Sequence, residues 1–120
     1  PAGDRLAWAK SDHTIELWSL TENSADRLAA FRGHQDKINA VGFSHHGRYL
    51  VSCARDRTAR VWDIETGQQI AVYTADAALR SMALSPCDDQ VAVGDVAGRV
   101  HILRVEEMSP QVERVSLLVE

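Results

Sequence analysis

Five histidines, at positions 13, 34, 45, 46 and 101, are the first residues to weigh for chemistry. Imidazole is the common metal ligand and the common proton carrier near neutral pH. A zinc or copper centre needs three or four donors converging in one geometry. His45 and His46 are adjacent in a turn-prone stretch and cannot supply that geometry alone, and His13 and His101 have no Cys, Asp or Glu at ligand spacing. No metal is therefore expected. Nucleophiles are no better placed. Ser44 and Ser85 precede turns, where a hydroxyl caps backbone groups, and Cys53 follows Ser52 without a base to activate its thiol. The stretch Gly94-Asp95-Val96-Ala97-Gly98 lacks the Lys-Ser/Thr pair and the following helix of a phosphate loop. Glu106-Glu107 reads as a solvated strand end. The chain is thus expected to be no enzyme and to carry no cofactor.

Composition narrows the remaining classes. The 120 residues carry a net charge of -4, which disfavours a general affinity for nucleic acid or for an anionic membrane. No apolar run approaches the roughly 18 residues of a membrane span. Two cysteines, Cys53 and Cys87, make no disulfide framework, so a reducing, cytoplasmic setting is expected.

The elements that must position these residues read as strands throughout. Runs rich in Val, Ile, Leu and aromatics fall at 6–9, 14–19, 27–31, 37–44, 48–53, 58–64, 69–73, 79–84, 91–94, 99–105 and 112–119. Turn-prone clusters such as Ser11-Asp12-His13, His45-His46-Gly47, Arg55-Asp56-Arg57, Pro86-Cys87-Asp88 and Ser109-Pro110 separate them. No segment has the length and periodicity of an amphipathic helix. The runs also repeat. Residues 47–62, beginning Gly47 and ending Trp62, align without a gap on residues 3–18, with Gly, Leu, Asp, Thr and Trp in register. Residues 88–103 repeat the same apolar positions, with Leu103 in place of Trp62. A period of 41–44 residues built from short strands is the mark of four-stranded propeller blades.

The middle repeat carries Gly33-His34, Ser52, Asp56 and Trp62-Asp63, and in this it resembles the WD-repeat proteins. The resemblance implies an all-β fold of antiparallel four-stranded blades, forming an incomplete ring in this chain. Residues 1–31 correspond to a partial blade without its innermost strand, 32–74 to a complete blade, and 75–120 to a degenerate third blade with a C-terminal strand. It further implies a chain of hydrogen bonds through Asp56, His34, Ser52 and Trp62. The first repeat has Trp8 where Ser52 stands, so its network cannot close in the same way. The third places Ala75, Val93, Ala97 and Leu103 at the four positions, an apolar substitute expected to hold a less rigid blade. Residues 93–103 are loosely similar to the terminal blade of propellers in apoptotic-activator and NACHT-type signalling NTPases.

The family commonly binds partners on the face formed by loops entering the innermost strands and by turns between the second and third. Transferred by repeat position, that face selects Ser11, Lys37, Asn39, Arg55 and Arg80, with Ala78 and Val96 beside them. Its three cations suit a carboxylate or phosphate, so the expected partner is a protein or an acidic or phosphorylated peptide. Arg57 and Arg60 are expected to be plain surface. The remaining blades would come from a longer polypeptide or from identical copies. The alternative function is that of a sensor or autoinhibitory propeller in a signal-transduction NTPase.

Overall fold

The computed structural model describes residues 5–44, 48–85, 90–107 and 115–119, with side chains through Arg104. The expected turns at 45–47, 86–88 and 109–110, with Cys87, lie outside the described residues, as do the side chains of Glu106 and Glu107. The described residues form eleven strands: β1 (Arg5–Ala9), β2 (Thr14–Leu20), β3 (Ala25–Arg32), β4 (Ile38–Phe43), β5 (Tyr49–Ala54), β6 (Thr58–Asp63), β7 (Gln69–Thr74), β8 (Leu79–Leu84), β9 (Gln90–Asp95), β10 (Val100–Glu107) and β11 (Val115–Val119). They form three antiparallel meanders, a three-stranded sheet β1-β2-β3 and two four-stranded sheets, β4-β5-β6-β7 and β8-β9-β10-β11. Among the described residues there is no helix, and hence none long and apolar enough to cross a membrane.

Repetition in the sequence becomes repetition in the backbone. In each sheet, the turn between the strands holding Trp18, Trp62 and Leu103 and the strands before them contains one residue in the left-handed region. These are His13 (φ 71), Arg57 (φ 71) and Gly98 (φ 88), at equivalent repeat positions. Only the glycine adopts that conformation without a steric cost. At the other two turns the preceding aspartate holds the bend together: Asp12 Oδ1 accepts from Thr14 Oγ1 at 2.6 Å, and Asp56 Oδ1 from Thr58 Oγ1 at 2.6 Å. Register shifts recur as well. One falls between Ile38 and Ala40 on β4, and its counterpart falls between Leu79 and Ser81 on β8. Asn39 and Arg80 are thus the unpaired residues of matching bulges.

The sheets stack face to face, with alternate residues of the middle sheet feeding two cores. Leu50, Ala54 and Trp62 pack on Ile15, Leu17 and Phe31 of the first sheet. Val51, Cys53, Ala59 and Val61 pack on Val91, Val93 and Leu103 of the third. All of these are essentially inaccessible to solvent. Each outer sheet keeps one face uncovered: Leu6 and Trp8 on β1 are 48% and 51% exposed, and Val100 on β10 is 68% exposed.

Candidate functional site

The middle sheet brings His34, Ser52, Asp56 and Trp62 together. His34 Nδ1 lies 2.9 Å from Asp56 Oδ2, His34 Nε2 lies 2.6 Å from Ser52 Oγ, and the Trp62 indole N–H donates to Ser52 Oγ at 2.9 Å. An ionised Asp56 can only accept, so Nδ1 carries the proton, Nε2 accepts from the Ser52 hydroxyl, and the Ser52 oxygen accepts from Trp62. Burial pushes the His34 pKa down, against the pull of Asp56. Burial also opposes ionisation of Asp56. The Thr58 hydroxyl, the Gln35 N–H and His34 outweigh it and hold the carboxyl at about 2. Every proton in this chain is spoken for, and Cys53 beside it has a thiol pushed up by burial to about 11. The cluster ties two strands, a turn and the β3–β4 loop together and offers no reactive group.

Arg60 is not the plain surface residue the sequence suggested. Its guanidinium donates to Thr58 Oγ1 at 3.1 Å and to Gln69 Oε1 at 2.6 Å, and lies 3.8 Å from Asp56 Oδ2. The stem of β6 directs it across the Asp56 turn, where its charge is used. Arg57 is exposed, as expected.

The third sheet corrects a second expectation, because its substitute for the middle-sheet network is not purely apolar. Asp95 and His101, at the repeat positions of Ala54 and Arg60, meet with Nε2 2.9 Å from Oδ2, and Tyr73 of the middle sheet places its hydroxyl 2.9 Å from His101 Nδ1. Asp95 Oδ1 also accepts from the Ala97 and Arg99 backbone N–H groups at 2.9 and 3.0 Å. It caps the turn from the strand before it, where Asp56 does so from within. Bonds from His101 and the Arg99 N–H hold the buried carboxyl at about 2. His101 therefore does have an acidic neighbour. Among the described residues, however, no group of three or more metal-ligating side chains converges. A polar residue ending one strand, six positions from a histidine on the same sheet face, was the sequence signal for this pair.

The first sheet closes by a third route. Trp18 donates its indole N–H to Glu16 Oε1 at 3.2 Å, and Glu16 Oε2 takes Lys10 Nζ at 3.2 Å and Arg27 at 3.3 Å. Trp8, at the Ser52 position, stands half exposed with Lys10 over its ring at 5.7 Å.

Of the residues selected for a partner face, Ser11, Lys37, Arg55 and Arg80 are exposed. The Arg55 N–H donates to the Lys37 carbonyl at 2.8 Å, which sets those two residues side by side, and the Val96 N–H makes the same bond to Ala78 at 2.9 Å. Asn39 is partly committed elsewhere: its Nδ2 donates to the Leu79 carbonyl across the junction at 2.6 Å. Lys37, Arg55 and Arg80 make no ion pair with the described residues, whereas Glu16, Asp56 and Asp95 all do.

Comparison with known proteins agrees with this geometry. Residues 25–63, from β3 through β6, match the family model "WD domain, G-beta repeat". The chain is 29% identical over 104 residues to the target of rapamycin complex subunit LST8 of Mus musculus, covering 85% of this chain and 32% of that protein. It is 39% identical over 91 residues to WD repeat-containing protein 36 of Homo sapiens, covering 76% of this chain and 10% of that protein. The chain thus spans a third or less of these relatives. The β-propeller domain of Cps50 (Swd1) from Myceliophteria thermophila superposes with a TM-score of 0.77 at 24% identity, covering 98% of this chain and 36% of that one, a likeness of fold. The three sheets are therefore blades of a β-propeller, and the chain carries a WD repeat of the G-beta type across the first junction and into the middle blade.

Proposed function

We propose that the chain is a non-catalytic interaction module whose loop face, at Ser11, Lys37, Asn39, Arg55 and Arg80, binds an acidic or phosphorylated segment of a protein partner. The observation that carries this reading is the set of three exposed cations without ion-pair partners among the described residues, on a chain of net charge -4. A free guanidinium beside an ammonium can hold a carboxylate or phosphate by charge-assisted bonds. The relatives' names support the coarser reading of an interaction module, one being a complex subunit and another, from Chaetomium thermophilum, a ribosome assembly protein. Further blades, from a longer polypeptide or from identical copies, complete the ring. Fluorescence polarisation with a nine-residue phosphoserine peptide tests the reading. Lys37→Glu with Arg55→Glu is expected to abolish binding, and undiminished binding by that variant would overturn it.

A further inference from the structure

The turns of the proposed face change character from one blade to the next, while the third blade keeps the cation Arg80 two residues after Ala78. At the tip of the middle-blade turn stands Arg55, clasped to Lys37; at the same position of the third blade stands Val96, clasped to Ala78. Val96 is 59% exposed, on a turn where polar residues and glycine are the usual choice. Ala97 and Gly98, which follow it, are exposed and bring no polar side chain. The two clasps are neighbours: Asn39, two residues after Lys37, bonds the carbonyl of Leu79, the residue after Ala78.

We infer that the segment bound on this face, on the reading above, is amphipathic: an acidic group sits on Lys37 and Arg55, and an aliphatic side chain rests on Val96 and Ala78. Stacked sheets lie about 10 Å apart and an extended chain advances about 3.3 Å per residue, so the two anchors are about three residues apart. The charge contact alone would accept any anion. The apolar contact discriminates among acidic segments, because burying an aliphatic group rewards only ligands that carry one in register. A peptide fits this pairing better than a nucleic acid, which would bring a run of phosphates to a chain of net charge -4.

The test is a leucine scan on the 120-residue chain by fluorescence polarisation. Nine-residue peptides carry a central phosphoserine in a Gly/Ser background, with one leucine moved through every other position. A parallel series with glutamate at the centre separates phosphate from carboxylate as the source of the charge. Leucine three residues from the anchor, on one side, is expected to tighten binding about tenfold, and Val96→Ser to remove that gain while leaving the leucine-free peptide unaffected. Binding that is indifferent to leucine position overturns this inference and leaves the charged face standing. No binding by any peptide, or binding unchanged by Arg55→Glu, overturns both.

Discussion

Ser52 Oγ answers to two groups, the Trp62 indole N–H at 2.9 Å and His34 Nε2 at 2.6 Å, in a site closed to water. Ser52→Ala is therefore expected to orphan both, at about 1–3 kcal/mol for each group left unpaired. Trp62→Ala removes a large buried ring as well as the end of the chain and is expected to cost about 3–5 kcal/mol. Urea unfolding followed by circular dichroism measures both, and a Trp62→Ala as mild as a surface change would contradict the core position. Acid supplies a separate probe. The carboxyls of Asp56 and Asp95 sit at about 2, below the ordinary 3.8. A carboxyl whose folded pKa is depressed contributes stability above its unfolded pKa and loses it as pH falls toward the folded value. Stability is accordingly expected to fall between about pH 4 and pH 2, and Asp95→Asn to flatten that limb of the urea midpoint against pH.

Strand order and junction chemistry were not equally legible. The strands could be read because turn residues punctuate them and because the repeat places each run against its counterpart. The observed β8 even runs Leu79–Leu84, as expected from the sequence. The middle network could be read because all its members sit inside one repeat. The Tyr73–His101–Asp95 chain could not, because its members come from two sheets and Asp95 stands where the middle repeat has Ala54. Register explains the swap. Phe31 pairs with Ile15 and Tyr73 with Ala59, so the two aromatics occupy equivalent places on outermost strands. Phe31 packs on Trp62 of the next blade at 5.7 Å between ring centroids, while Tyr73 meets His101 at 5.6 Å and adds a hydrogen bond. Both junctions are closed by apolar packing, and the second adds a polar latch to it. Tyr73→Phe is expected to cost about 0.5–1.5 kcal/mol and to raise amide exchange in β9 and β10 with little change in β5 and β6. Equal loosening of the two sheets would show that Tyr73 does not act at the junction.

Across the whole molecule, each junction between blades is filled by apolar side chains from both sheets. Trp62 and Leu50 meet Ile15, Leu17 and Phe31 at the first junction, with Ala7 and Ala9 packed against the same cluster. The uncovered face of the first sheet presents Leu6, Trp8 and Trp18, and the uncovered face of the third sheet presents Ser81, Ala83, Ala92, Gly94 and Val100. Glu16, on the uncovered face of the first sheet, already has its charge met by Lys10 and Arg27, so no buried charge stands in the way of covering it. Apolar faces left in water are association sites. The isolated chain is therefore expected to self-associate as its concentration rises, and Leu6→Ser with Trp8→Ser to weaken that association while leaving the acid and urea transitions of the middle blade in place. Sedimentation velocity over a hundredfold concentration range reads this directly. A variant that associates as strongly as the parent would move the sticky surface to the third sheet, where Val100→Ser should then have the larger effect.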